Sequence, residues 1–528
     1  MISVKYSDLK KIAFIIIALP FIVFSIGWLK WYWAVLSISA MAIVLFFGIF
    51  QKKDISESEK EINISYRVII ATMVLSLIWV WLSGIGGFWG QSKDFAYRNA
   101  IYRDIVLRDW PVKYPVTGHA LVYYIGFWLF PSLFGKAALF LGVSDSVAFD
   151  IANAALFVWT ALIIFIVLLL AIYTIGAMTP KKQLFIAVLF IIFSGMDIWG
   201  NVGYDPKYIK YHYEWWAMEY QYSSFTTCLF WVFNQAVPAW LCFLCLVNEK
   251  SIKNYVFIGM MCLFCSPLPF VGWLLYAVLF AIEKAIEKIR QKNVKEYLVN
   301  MFSLSNICSA FFFFPFIGTY LLSNAAIHGS GAFQTSNVLE NDVLQTVTDS
   351  AEGVVQISNT HFANAPILRY FSFICIEFAI YMILVAWKYK IKPVYYVTFI
   401  SLCLIPLFRI GSAPDFSMRA SIPGLVMVFL FVGKFLVEEK KVLKLKGSLQ
   451  RMTYILLIVF VLLGAFTPGM EVFRGTKEVI ELGIKPEKND KIYTLGCDGP
   501  YDDGTLKCYG NFVATDLDEH IFFRVFCK

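Results

Sequence analysis

Long apolar runs separated by short polar loops dominate the chain. The first three runs lie at about 12–29, 34–50 and 67–84. Each approaches the roughly 20 residues that a helix needs to cross the hydrocarbon core of a bilayer, and none shows the alternation of a barrel strand. Because only helices and closed barrels satisfy their backbone hydrogen bonds in lipid, the pattern predicts an all-α, polytopic transmembrane protein.

The rest of the pattern predicts further spans, for a total of about thirteen. They lie at about 147–176, 183–199, 225–247, two short spans within 255–283, 298–322, 366–387, 393–408, 420–436 and 452–467. Short loops rich in Lys and Arg mark the cytoplasmic side. The run at about 118–142 is predicted to lie in, or re-enter, the outer interface, because a crossing there would put Lys181 and Lys182 on the wrong side.

The pattern divides the chain into three parts. Residues 1–66 are predicted to form two extra N-terminal helices and a cytoplasmic loop, residues 67–467 a transmembrane catalytic core, and residues 468–528 a small, weakly folded extracytoplasmic tail. If that tail faces an oxidising compartment, Cys497 and Cys508 are the expected disulfide pair.

Composition agrees with a membrane location and adds little about partners. Hydrophobic residues make up 59% of the chain and charged residues 16%, against about 25% charged residues in a soluble domain. The net charge of +8 lies mostly in the predicted cytoplasmic loops, so it calls for no nucleic-acid partner. The abundance of Lys, Ile and Phe, together with short loops, indicates a bacterial plasma membrane.

Several cations lie on the predicted outer side, although Lys and Arg usually concentrate in cytoplasmic loops. They are Arg98, Arg103, Arg108, Lys113, Lys207, Lys210, Arg409 and Arg419. Because the guanidinium fork binds planar oxyanions through two hydrogen bonds, we expect Arg98, Arg103, Arg409 and Arg419 to bind a phosphate carried on a membrane lipid. The alternative is that these cations pair with Asp94, Asp104, Asp109 and Asp415 or with lipid headgroups.

Asp94 is the first carboxylate after the third span, in a loop that runs from Gly84 to Pro115. A carboxylate near a desolvated boundary suits general base catalysis, and Asp104 is an alternative base. If the segment is helical, Asp94 and Arg98 share a face, so a structural ion pair is the competing interpretation.

A second outer loop, about 200–224, is rich in Tyr and Trp. Its His212, Glu214 and Glu219 are predicted to line a sugar site, with an interfacial aromatic belt as the alternative. Further substrate contacts are predicted from Lys93, Asn99 and Asp415. The histidines lack metal-ligand spacing, so no metal site is predicted, although a divalent cation stays open. The CxxC spacings at Cys242–Cys245 and Cys262–Cys265 lie inside apolar runs and favour buried thiols over zinc.

Two phrases, RNAIYRDIVLRDWPV at 98–112 and PDFSMRASIP at 414–423, are similar to bacterial members of the GT-C superfamily of membrane glycosyltransferases. The layout also resembles that superfamily, with Asp94 after a span and a late outer Arg419. The resemblance implies inverting transfer of a sugar from a polyprenyl-phosphate donor, on the outer face, to a glycan, a lipid-linked molecule or a wall polymer. The chain departs from the pattern in its two additional N-terminal spans and its lone Asp in place of an adjacent acidic pair.

Two other classes of function compete. A transporter or flippase of a lipid-linked or anionic solute would use the same outer arginines, but only Glu377 stands out as an ionisable group at mid-membrane and no inverted repeat is visible. A polymerase or ligase acting on lipid-linked glycans would be expected to place its key groups in one large late outer loop. The long loop at about 323–365 contains no Arg.

Overall fold

The structure is a computed structural model. It describes residues 1–50, 60–203, 212–327, 360–362, 367–410, 414–438, 448–484, 495, 497 and 510–528. The structure is 78% helical with little sheet, and nine helices within the described ranges are long and apolar enough to cross a membrane. The chain is therefore an all-α, multi-pass membrane protein. The predicted total of about thirteen spans stays a prediction.

The N-terminal part forms two antiparallel helices and a small sheet. The helices are α1 (Tyr6–Trp28) and α2 (Trp31–Phe50). Strand β1 (Ile2–Lys5) pairs with β2 (Glu61–Ile64), just before α3 (Tyr66–Leu82). Ser65 caps α3, because its side chain accepts a hydrogen bond from the Val68 backbone N–H.

The run predicted to stay at the outer interface forms a hairpin and a short helix. After α4 (Phe95–Leu107), strand β3 (Lys113–Tyr114) pairs with β4 (His119–Leu121), and α5 (Gly126–Phe140) follows. At 15 residues, α5 is shorter than the roughly 20 residues of a crossing helix. It packs along α6 (Asp145–Ile175), where Gly135 lies against the Ala148 carbonyl.

The centre of the bundle is α9 (Phe225–Asn248), which is buried over most of its length. Its backbone leaves helical geometry at Val232, and Pro238 follows one and a half turns later. Helices α7 to α14 are α7 (Pro180–Ile192), α8 (Asp197–Gly203), α9 (Phe225–Asn248), α10 (Tyr255–Cys265), α11 (Pro267–Arg290), α12 (Val294–Met301), α13 (Leu304–Phe312) and α14 (Phe314–Leu322). The break between α10 and α11 falls at Ser266, within the predicted SPLP turn.

Two predicted single spans are interrupted. The stretch predicted as one span at 298–322 contains the end of α12, all of α13 and all of α14, because Ser303 caps α13 and Pro315 begins α14. The span at 366–387 forms α15 (Ile367–Ile374), a π-helical segment (Cys375–Ala379) and α16 (Ile380–Tyr389).

Among the described residues, the last part of the bundle contains five helices and one pair of short strands. Its elements are α17 (Pro393–Leu404), β6 (Phe408–Ile410), which pairs with β5 (Thr360–Phe362), α18 (Asp415–Ala420), α19 (Ile422–Glu438), α20 (Ser448–Gly464) and α21 (Phe466–Leu482). Basic loops gather at the opposite end, where Lys10 pairs with Glu249 and Lys388 with Glu438. Which side faces the cytoplasm stays a prediction.

The described residues after 467 pack onto the bundle, whereas the division of the chain into three parts stays a prediction. Most of α21 lies there and packs against α9. Strand β7 (Val513–Ala514) joins β4, and Cys527 forms a backbone bridge to Leu29. Phe522 is fully buried among aromatic rings of α1 and α14. Long-range packing, which the local composition does not report, anchors this segment.

Candidate active site

A glycine-rich turn connects α3 to α4. Gly84, Gly86 and Gly87 all have positive φ, the left-handed region that glycine enters without steric cost. The Gln91 side chain donates to the Gly84 carbonyl at 2.9 Å and accepts from Asn99 at 2.9 Å. This network fixes the start of α4, where Asp94 occupies the position before the first helical residue.

Asp94 and Arg98 form an ion pair at the start of α4. Arg98 Nη2 lies 3.1 Å from Asp94 Oδ2, as the four-residue spacing predicted. The buried Arg98 also donates from Nε to Asn234 Oδ1 at 3.4 Å, at the turn of α9 that follows the break at Val232.

A second pair of the same kind lies beside the first. Arg419 Nη1 is 2.7 Å from Asp415 Oδ1 on α18. Burial raises the pKa of Asp415, and the positive charge of Arg419 lowers it. The negative charge of Asp94 also raises this pKa, and the positive charge of Arg98 lowers it. The structure thus brings together two segments separated by more than half the chain. We call Asp94, Arg98, Asp415 and Arg419 the paired-charge cluster.

Two buried tyrosines lie next to this cluster. Tyr123 donates its hydroxyl hydrogen to Tyr124, and both residues are buried. Burial raises the pKa of both hydroxyl groups, whereas the positive charges of Arg419 and Arg98 lower it. Both arginines therefore lie close enough to influence both hydroxyl groups. The phenol groups therefore stay protonated at neutral pH and can donate hydrogen bonds.

Two buried donors at the cluster lack an acceptor among the described residues: Arg419 Nε and Asn234 Nδ2. An unsatisfied buried donor costs about 1–3 kcal/mol. An oxyanion placed between the arginines would supply the missing acceptors. The cluster is therefore better suited to an anionic ligand than to a cation.

The second outer loop extends the site through His212. Its Nε2 lies 3.8 Å from Glu471 Oε1 on α21, and its ring stacks on Trp215. Burial lowers the pKa of His212, the nearby Glu471 carboxylate opposes that shift, and Asp94 contributes in the same direction as Glu471. The loop and α21 thus border the paired-charge cluster on the side of Asp94.

Glu214 points into the protein. One carboxylate oxygen accepts from Gln221 and Ser223, and the other accepts from the Ser224 N–H at 2.9 Å. Burial, with help from the neighbouring Asp197 charge, raises the pKa of Glu214 to about 8. These contacts hold the loop onto α9, and the predicted contact between Glu214 and a sugar stays a prediction.

We predict that Glu214→Gln flattens the pH dependence of stability. The folded pKa of about 8 lies above the ordinary 4.5, so the folded state binds the extra proton and its stabilising effect is lost as the pH rises through about 8. The wild-type melting temperature should fall between about pH 5 and about pH 9, and less steeply in the variant. Glu519→Gln, at an exposed site, is the control; parallel curves for wild type and Glu214→Gln would contradict the prediction.

The other predicted site residues are more scattered. Asp104 is buried and bonds Tyr114 and Arg108, which ties α4 to the hairpin. Arg409 pairs with Glu219. Lys93 is exposed next to Asp94, and Arg103 is half-buried on α4 with no hydrogen bond or ion pair to any residue that the structure describes. Of the four predicted phosphate ligands, the cluster contains Arg98 and Arg419.

Several residues at the site escaped the sequence interpretation. Asn234 could have been noticed, because it and Gln235 form a polar pair in the middle of a mostly apolar span. Tyr123 and Tyr124 carry no local signal, because tyrosines are common at interfaces. Glu471 was hidden by its assignment to the tail, and Asp197 by its place at the end of a predicted span.

Metal chemistry finds no support in the described ranges, where no group of three or more His, Cys, Asp or Glu side chains could hold an ion. Cys242, Cys245, Cys262 and Cys265 are free and buried. Cys497 is disulfide-bonded. Cys508, Lys207 and Lys210 lie outside the described residues.

Comparison with known proteins adds no assignment. No protein-family model, no curated protein and no solved structure matches the chain. The function is therefore argued from the site itself.

Proposed function

We propose that the protein is a membrane glycosyltransferase that transfers a sugar from a polyprenyl-phosphate donor to an acceptor hydroxyl at the outer face of the membrane. The observation that carries this proposal is the paired-charge cluster, which joins Asp94 and Arg98 to Asp415 and Arg419. The resemblance to the GT-C superfamily supports the same reaction, and the membrane concerned would be a bacterial plasma membrane.

The chemistry divides between the two charge types. The acceptor oxygen attacks the anomeric carbon, the bond from that carbon to the phosphate oxygen breaks, and the electron pair leaves with the phosphate. Arg98 and Arg419 stabilise the growing negative charge there. The proton of the acceptor hydroxyl passes to a carboxylate, which acts as general base.

Asp94 is the best placed of the candidate bases. Its side chain is 22% exposed, against 13% for Asp415 and 4% for Asp104. Asp104 is held by Tyr114 and Arg108, whereas Asp94 retains an open side toward the loop surface. An acceptor can therefore reach Asp94 without displacing a buried contact.

A groove beside the site suits the lipid part of the donor. It measures about 350 Å³ and lies where α20 meets α21. Its lining is formed by Tyr213, Leu462, Ala465, Phe466, Gly469, Met470 and Phe473. On α21, Met470 is followed by Glu471, which contacts His212 and so borders the cluster. We propose that the isoprenoid chain of the donor lies in this groove.

We predict that Gly469→Leu weakens donor use. No heavy atom outside its immediate chain lies within 4 Å of a Cβ built at Gly469, so a larger side chain fills the groove without a clash. The KM for a long-chain donor should rise by about tenfold or more, equivalent to roughly 1.4 kcal/mol, while a donor with a shortened lipid is less affected. Gly318→Leu, on the distant α14, is the matched control. Equal KM values for both variants and wild type would exclude the groove.

The proposed activity is tested with protein purified in lipid nanodiscs. The wild type is incubated with a panel of radiolabelled polyprenyl-phosphate sugars, and label transferred to water or to glycan acceptors is counted. Transfer or slow donor hydrolysis supports the proposal. Polymerisation of polyprenyl-pyrophosphate glycans would indicate a polymerase or ligase, and solute movement in proteoliposomes without turnover would indicate a transporter.

A further inference from the structure

A second pair of acidic side chains lies away from the paired-charge cluster and has no part in the proposed transfer. Glu377, in the π-helical segment, is 4% exposed, and Asp197, at the start of α8, is 0% exposed. The two carboxyl groups lie within hydrogen-bonding reach of each other. Gly195 permits the approach, because a Cβ there would overlap Glu377 Oε2.

The surroundings of the two carboxyl groups are unequal. Asp197 accepts hydrogen bonds from Trp216 Nε1 at 3.2 Å, Thr467 Oγ1 at 2.8 Å and Ser194 Oγ at 3.4 Å. Glu377 Oε1 is buried and receives none from the described residues. Donors stabilise a carboxylate, so the negative charge belongs on Asp197.

We propose that Asp197 and Glu377 form a proton-binding site, in which Glu377 holds the proton and donates it in a hydrogen bond to the Asp197 carboxylate. Two adjacent carboxylates offer only hydrogen-bond acceptors, and two carboxyl groups in contact cannot both ionise without a large electrostatic cost. A proton between them turns that repulsion into a charge-assisted hydrogen bond. The site requires no metal or substrate.

The groups that face this pair are mostly acidic or neutral. They are Glu214, His212 and Trp216 of the second outer loop, Tyr222 before α9, and Tyr381 on α16. Burial acts most strongly on Glu377, and the two charged side chains that act on it, Asp197 and Glu214, are both acidic. A proton is therefore the counter-charge that the surroundings supply.

The protonated pair joins several segments that border the candidate site. Through Asp197 it links α8 to Trp216 of the second outer loop and to Thr467 of α21. The π-helical segment is attached to the same point by the hydrogen bond from the Met196 N–H to the Ile376 carbonyl, 3.1 Å long. Loss of the proton places two negative charges at this junction, which we expect to loosen the loop and α21 together.

Infrared spectroscopy tests the site without any substrate. Glu214 is also protonated at neutral pH, so the background for the test is Glu214→Gln. That protein should still absorb at the carbonyl stretch of a buried protonated carboxyl at about pH 7, and addition of Glu377→Gln should remove the absorption. An unchanged absorption in the double variant would overturn the proposal.

Thermal unfolding gives the second readout. In Glu214→Gln the melting temperature should fall as the pH rises above the ordinary pKa of a glutamate, about 4.3, because the folded state holds a proton that the unfolded chain releases. Glu377→Gln in that background should make the curve flat; equal slopes would argue against a shared proton. If Glu377→Gln does not fold, Asp197→Asn replaces it, because an amide accepts a weaker hydrogen bond and should move the carboxyl absorption to higher frequency. No movement would overturn the proposal.

Discussion

Asp94→Asn should abolish most of the transfer activity while donor binding persists. Removing a general base lowers kcat by about 10²–10⁴-fold, which corresponds to roughly 3–5 kcal/mol of transition-state stabilisation. Donor binding is proposed to rest on Arg98 and Arg419, and both guanidinium groups remain when Asp94 loses its charge, with Arg98 released from its ion pair. The measurement is kcat and donor Kd for both proteins in the same nanodiscs.

Asp104→Asn is the matched comparison for that experiment. It makes the same chemical change ten residues further along the chain, in a side chain that bonds Tyr114 and Arg108 rather than the paired-charge cluster. We expect lower stability with kcat retained. If Asp104→Asn instead loses turnover and Asp94→Asn keeps it, the base is Asp104. Full activity in both variants would remove general base catalysis by α4 from the mechanism.

Arg419→Ala should be the most damaging single change in the cluster. The side chains of Arg419 and Asp415 are 6% and 13% exposed, and loss of one partner leaves the other charge buried and unpaired. Breaking such a pair costs about 3–5 kcal/mol. We therefore expect a large fall in melting temperature together with loss of donor binding.

A double variant separates the two effects of Arg419→Ala. In Asp415→Asn combined with Arg419→Ala no unpaired charge remains, so the melting temperature should recover substantially while donor binding stays lost. Arg419→Lys provides a milder test, because lysine keeps the charge but lacks the planar fork. Donor affinity should fall by about tenfold, or roughly 1.4 kcal/mol. Normal donor affinity in the double variant would show that Arg419 does not bind the phosphate.

The positions of most helices were accessible from the sequence because they depend on local properties. A run of apolar residues must be shielded from water wherever it occurs, and its length decides whether it can cross a bilayer. Thus α1, α6 and α9 lie close to the predicted spans. Breaks inside helices were harder to place, and the sequence interpretation predicted neither the π-helical segment nor the non-helical turn at Val232.

The Asp94–Arg98 pair was also within reach of the sequence, because a spacing of four residues places both side chains on one helical face. The same spacing exists between Asp415 and Arg419, but nothing local indicates that the two pairs meet. That meeting depends on how α4, α9 and α18 pack, which involves segments hundreds of residues apart.

The sequence alone therefore determined that this is a helical membrane protein, and it predicted a set of outer cations and Asp94 as the candidate base. The tertiary structure decided which of those charges lie together, that Glu214 faces inward, and that the described residues beyond Pro468 form part of the fold. The physical reason is the range of the forces involved. The hydropathy pattern and the helical spacing are properties of residues that are close in sequence. The pairing of buried charges instead depends on which helices become neighbours in the folded protein.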